Sequence, residues 1–201
     1  MRPVLSLIAG IAVIASTLTG CGTTGDGGGS GGTSGTSTPG PGKYKSAPPQ
    51  TLDPTKAYAA TIATTKGTIE LSLDAKAAPV AVNSFVFLAR DRFYDGLVFH
   101  RVVPGFVIQG GDPNGDGTGG PGYFIADEQS GLLHVDGALA MAKSSTPNSA
   151  GSQFYITLAP QPDLDGKYTV FGKVTAGLDV VKAIRVGDII NRVTITESPA
   201  H

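Results

Sequence analysis

Arg101 and Gln109 stand in FHRVVPGFVIQGGD, residues 99 to 112, among Phe99, Val102, Val103, Phe106, Val107 and Ile108. The apolar residues have the makings of two buried strands, and Pro104-Gly105 breaks between them, because proline cannot donate to a sheet ladder. A guanidinium carries five N–H donors and keeps its charge at any working pH, while a carboxamide both donates and accepts. Such a pair beside apolar side chains can fix a polar group of a ligand next to an apolar one. Taken alone, the pair also fits a strand arginine with its head in solvent and a satisfied glutamine at a strand end.

Other chemistries find less support. Gly151-Ser152-Gln153 is not the GxSxG elbow of a serine hydrolase. Spacing identifies no carboxylate pair for glycoside chemistry. The three histidines, His100, His134 and His201, form no ligand-spaced cluster with the single cysteine, so no metal site is expected. The glycine-rich stretch GGDPNGDGTGGPGY, residues 110 to 123, has no Gly-Lys-Ser/Thr ending and carries two aspartates that oppose an anion. It lacks the Asp spacing and closing Glu of a calcium loop as well. A long irregular loop is expected there, with no cofactor. The formal net charge of -1 gives no basic excess for nucleic acid.

The elements that would position Arg101 and Gln109 lie between about Lys56 and Glu197. Tyr58 to Ala63 and the alternating Ile69, Leu71 and Leu73 form a hairpin across Thr64-Thr65-Lys66-Gly67. Pro79 opens a helix whose Val82, Phe85, Val86 and Ala89 fall on one face. Further strands are expected over 138–142, 152–158, 169–174 and 192–196, with a short helix from about Leu178 to Ile184. Many short strands with few helices indicate a sandwich or barrel.

An appendage precedes this part. Arg2 leads an apolar run from Val4 to about Ser16, too short to span a bilayer, which needs roughly 20 apolar residues. It fits the h-region of a secretory signal. Leu18-Thr19-Gly20-Cys21 resembles the lipobox of bacterial lipoproteins, which implies lipidation at Cys21 and cleavage just before it. The expected organisation is a lipoprotein signal over 1–20, a lipidated tether over 21–52, rich in Gly, Ser, Thr and Pro, and a globular domain over 53–197. A flexible chain from 22 to 50 has a root-mean-square span of roughly 30 Å.

FHRVVPGFVIQGGD resembles the signature of the cyclophilin family of peptidyl-prolyl cis-trans isomerases. The likeness continues in order through Asn83-Ser84-Phe85, Gly117-Thr118-Gly119-Gly120, Met141-Ala142, Gly151-Ser152-Gln153-Phe154-Tyr155, Leu164-Asp165-Gly166-Lys167 and Val170-Phe171-Gly172. It implies an all-β fold, a closed eight-stranded antiparallel barrel capped by two α-helices. It implies catalysis by Arg101, Phe106 and Gln109, with Arg101 stabilising the twisted amide. Val107, Gly117, Ala142, Lys143, Ser144, Gln153, Tyr155, Leu164 and Tyr168 would bind the substrate. Implied partners are proline-containing peptides and unfolded exported proteins, met by a monomer lipid-anchored to the outer side of the cell membrane. Two other readings stay open: a peptide-binding module of the same fold without useful turnover, and a surface lipoprotein with a purely structural barrel.

Four positions depart from the common family pattern. Asp163 stands where many members have tryptophan, and weak cyclosporin binding is expected. Tyr168 stands where many have histidine. Lys143 replaces a frequent asparagine, with a preference for acidic flanking residues as the expected consequence. Tyr155 replaces a common phenylalanine and reads as a harmless core variant. The segment between Met141 and Gly151 is one residue longer than the commonest spacing.

Overall fold

The computed structural model describes residues 42–53 and 55–199. The expected signal segment, Cys21 and most of the expected tether lie outside them. Among the described residues eight strands occur in the order β1 (Lys56–Thr64), β2 (Gly67–Leu73), β3 (Arg101–Val103), β4 (Val107–Gly110), β5 (Ala138–Met141), β6 (Phe154–Thr157), β7 (Val170–Ala176) and β8 (Ile190–Pro199). Helix α1 (Pro79–Arg90) follows β2, and α2 (Leu178–Ala183) follows β7. All pairings are antiparallel, in the spatial order β3-β4-β6-β5-β7-β2-β1-β8.

The expected closed barrel needs correction. Among the described residues β3 and β8 share no ladder, so the sheet is not closed by strand pairing. One isolated bridge, Val98 to Ile189, lies just ahead of both strands, flanked by backbone bonds such as Phe99 N–H to Asp188 O at 2.9 Å. The apolar run 97–103 is strand only from Arg101. Its first part leaves a series of turns after α1 and meets the chain before β8 only through that antiparallel bridge and its flanking bonds.

Alternation along β4, β5 and β6 divides the sheet into two apolar layers, as a side-chain period of two requires. Ile108, Leu139, Met141, Phe154 and Ile156 enter the main core with Ile62, Ile69, Leu71, Phe85 and Phe171. Val107, Ala138, Ala140 and Tyr155 point the other way and form a second, smaller cluster with Val170. That second layer carries the candidate site.

Helix α1 begins at Pro79, whose missing N–H would have had no partner in the first turn. No side chain of its own caps it; the Glu128 carboxylate accepts from Val80 N–H at 2.9 Å and Ala81 N–H at 2.8 Å. A carboxylate there satisfies donors the helix cannot and complements its dipole.

The sequence expectation runs the tether through residue 52, yet residues 43–53 lie on α1. The Tyr44 ring packs edge-on against Phe87 at 5.1 Å and Tyr123 at 6.2 Å. Its backbone N–H donates to Pro121 O at 2.9 Å. Asn83 accepts from Thr51 N–H at 3.0 Å and donates to Pro49 O at 3.0 Å. The composition of 43–52 looks like linker because its partners lie elsewhere in the chain.

Candidate functional site

Arg101 faces Gln109 across the β3–β4 ladder. Its guanidinium donates to Gln109 Oε1 at 3.4 Å and lies 5.7 Å from the centre of the Phe106 ring. Gln109 Nε2 donates to Gln153 Oε1 at 2.9 Å, and Gln153 Nε2 donates to Gly117 O at 3.0 Å and Gly119 O at 2.9 Å. A polar chain therefore runs from the arginine to the glycine-rich loop. Each carboxamide has its orientation fixed by the next, which holds the guanidinium against the aromatic ring.

The glycine-rich loop is held from inside. Asp112 is buried, and its carboxylate accepts from Asn114 N–H at 2.9 Å, Asp116 N–H at 3.0 Å and Gly117 N–H at 2.5 Å. Gly117 has φ of 92°, a conformation that favours glycine. Its carbonyl is thereby presented to Gln153.

The smaller apolar cluster forms the other half of the site. Phe106, Ala142, Leu164 and Tyr168 are partly buried against Val107 and Tyr155. Leu164 ends a 3-10 turn, Pro162–Leu164, and Tyr168 meets Tyr155 edge-on with ring centres 5.9 Å apart. Asp163, in the same turn, is exposed and directs no buried charge at the pocket.

The longer segment after Met141 is tied down at several points. Ser144 N–H and Oγ both bond Ser149 Oγ, at 3.1 and 2.8 Å. Asp127 accepts from Asn148 N–H at 3.1 Å and from Lys143 Nζ at 2.5 Å. The ammonium of Lys143 is thus already paired and also lies 5.7 Å over the Tyr168 ring. The acidic-residue preference expected from Lys143 alone is opposed by Asp127, a partner 16 residues away.

Of the sequence-expected site residues, Arg101, Phe106, Gln109, Gln153 and Gly117 are joined by the contacts above, Val107, Ala142, Tyr155, Leu164 and Tyr168 by the smaller apolar cluster, while Lys143 lies over Tyr168 and Ser144 bonds Ser149. His134, Asp165, Asp127 and Asp112 were not identified from sequence. His134 is buried, with Nδ1 2.8 Å from Asp165 Oδ1 and Nε2 2.9 Å from the Tyr155 hydroxyl. Burial pushes the Tyr155 phenol far above its ordinary value, so it stays un-ionised. Among the described residues, no group of three or more His, Cys, Asp or Glu converges as a metal site.

Phe106 joins the smaller apolar cluster to the chain from Arg101 through Gln109 to Gln153, and this defines a class of site able to meet a polar group and an apolar one side by side. Comparison with known proteins gives this class its identity. Residues 59–199 match the family model of the cyclophilin type peptidyl-prolyl cis-trans isomerases. Peptidyl-prolyl cis-trans isomerase B of Bacillus subtilis is 52% identical over 129 residues, covering 63% of this chain and 90% of that protein. A peptidyl-prolyl cis-trans isomerase of Helicobacter pylori is 46% identical over 162 residues, covering 73% and 99%. The crystal structure of a cyclophilin type isomerase from Cryptosporidium parvum superposes with a TM-score of 0.66 at 32% identity, covering 71% of this chain and 99% of that one. The chain belongs to the cyclophilin-type peptidyl-prolyl cis-trans isomerases, and its reaction is rotation about the bond before proline in peptide substrates.

Proposed function

We propose that this isomerase speeds X-Pro rotation in exported proteins as they fold, with Arg101 acting on the twisted amide and the smaller apolar cluster holding the proline ring. The barrier to be lowered is about 18–20 kcal/mol, because the planar amide is resonance-stabilised. No bond breaks, so the enzyme has only to bind the twisted amide better than either planar isomer. Twisting returns a lone pair to the nitrogen. A donor held beside it strengthens at that moment and costs no reorganisation. Arg101 is such a donor, and the observation that carries the assignment is its fixed position between Gln109 and the Phe106 ring. Phe106, Val107, Tyr155, Leu164 and Tyr168 supply a wall for the ring. Gly117, Ala142, Lys143, Ser144 and Gln153 border the space for the flanking peptide.

The extracytoplasmic setting rests on the apolar run and on Leu18-Thr19-Gly20-Cys21. Several acyl chains on Cys21 would hold the enzyme on the membrane, at about 0.8 kcal/mol per buried methylene. It would act there as a monomer.

The test is exchange across one Ala-Pro bond, measured by NMR with the domain and its Arg101→Ala variant. The variant should lose roughly 100-fold in kcat/KM, the scale for removing one transition-state donor, while remaining folded. An active Arg101→Ala variant would remove Arg101 from the mechanism. In the full chain, Cys21→Ser should move the protein from the membrane fraction to the soluble one.

A further inference from the structure

We infer that His134 and Asp165 are positioning residues of the proline pocket, setting the place of Tyr155 and Leu164 through one buried hydrogen-bonded chain. This rests on the pocket assignment above and deepens it. Tyr155 lies on β6 and Leu164 in the 3-10 turn, so the pocket wall is built from separate pieces of chain. Something must hold those pieces in register, and His134 touches both.

Its ring lies parallel to that of Tyr155, with centres 5.9 Å apart, and its side chain is 0% exposed. Asp165 Oδ1 accepts from both the backbone N–H of His134 at 2.8 Å and its Nδ1 at 2.8 Å. Those two donors hold the Asp165 carboxyl below its ordinary value. The acceptor is therefore a carboxylate, Nδ1 carries the proton toward it, and Nε2 is left to accept from the Tyr155 hydroxyl. The hydroxyl is thus tied to the ring behind it, leaving the aromatic body of Tyr155 for the pocket.

The backbone of His134 continues the connection. His134 O accepts from Gln161 N–H at 2.7 Å, Gln161 O accepts from Leu164 N–H at 3.0 Å, and Gln161 Nε2 donates to Gly105 O at 3.0 Å. Gly105 precedes Phe106. One buried histidine thus joins three parts of the pocket wall: Tyr155, the Leu164 turn, and the turn carrying Phe106. A phenylalanine at 155 would leave Nε2 of His134 without this partner in a buried place, which is costly.

The experiment compares the wild-type domain with Tyr155→Phe, His134→Asn and the double variant. An Ala-Pro peptide is titrated for Kd, its exchange rate is measured, and Tm is followed as a folding check. Asparagine at 134 keeps a donor toward Asp165 and loses the bond to Tyr155. Each single variant should raise Kd about three- to tenfold, and the double variant no further, because both remove the same bond. The ¹⁵N shifts of His134 in the wild type should show the Nδ1–H tautomer. Tyr155→Phe is nearly isosteric and keeps the comparison alive if His134→Asn unfolds. An unchanged Kd in folded Tyr155→Phe, or effects that multiply in the double variant, would overturn the inference, as would the Nε2–H tautomer. An Arg101→Ala variant that binds the peptide and exchanges it at the wild-type rate would sink the Arg101 assignment alone. A wild-type domain that fails to bind the peptide would sink the pocket assignment and this inference together.

Discussion

Lys143 shows how a single residue's effect depends on what it meets. By type it offers a cation to the flanking peptide, but its Nζ lies 2.5 Å from Asp127 Oδ2, with only 15% of the side chain exposed. The ion pair sits at the rim, where pairing two charges cancels most of the field either would send into solvent. Asp127→Asn should release the ammonium. Affinity for peptides with a glutamate beside proline should then rise about two- to fivefold, against no change for a neutral peptide. Parallel titrations of the two peptides at low and high salt would check this, since the gain should fade with salt. An equal response from both peptides would mean that Asp127 acts only through the loop it pins at Asn148. Asp163 stands in contrast: its place was read from resemblance, and its side chain turns out to be exposed.

At the scale of elements, two supports come from distant sequence. Glu128 is the external cap of α1, replacing the side-chain cap that Ala78 cannot supply. Glu128→Ala should cost about 1 kcal/mol, typical of losing an N-terminal cap. A denaturant melt should show a lower midpoint at unchanged slope. The segment 43–53 is the second support. Its Tyr44 sits among Phe87, Phe93 and Tyr123, and Asn83 bonds it at both faces. A domain that starts at residue 43 should therefore be more stable than one that starts at 53, by about 2 kcal/mol or more, since the shorter chain uncovers these rings and leaves Asn83 without its partners. Equal stability of the two would show that the segment merely rests on the helix.

For the whole molecule the electrostatic balance predicts weakness toward acid. Hydrogen bonds from Thr55, Thr118 and His134 hold Asp53, Asp116 and Asp165 below 3.8, Lys43 holds Asp91 below the same value, and Lys56 holds Glu197 below 4.5. A carboxyl lowered in the fold contributes stability that is complete above its unfolded value and lost as pH falls through the folded one. Burial lowers His100 from 6.5, so folding also opposes its protonation, and the loss from this group begins as pH falls below 6.5. Tm should accordingly decline from about pH 6.5 and more steeply below about pH 4. Asp165→Asn should flatten the lower part of that decline, since one lowered carboxyl is gone. A Tm that holds level between pH 7 and 3 would contradict this account.

The hairpin of β1 and β2, the start of α1 at Pro79, the strands β5 to β8 and the polar pair at 101 and 109 are all legible in the sequence. Each depends on local rules: side-chain period, proline geometry, glycine at positive φ, and a motif in which the residues are near neighbours. The family resemblance extended that reading to Phe106, Gln153, Leu164 and Tyr168 because the motifs follow in order. What the sequence could not decide is which distant groups meet. The open ladder between β3 and β8, the docking of 43–53 on α1, the capping of α1 by Glu128, the pairing of Lys143 with Asp127 and the chain from Asp165 through His134 to Tyr155 are such meetings. A buried polar group needs a partner, but its type says only that one must exist. His134 looked like an isolated histidine because its partners are 21 and 31 residues away, brought to it by the pairing of β6 and the turn before Asp165.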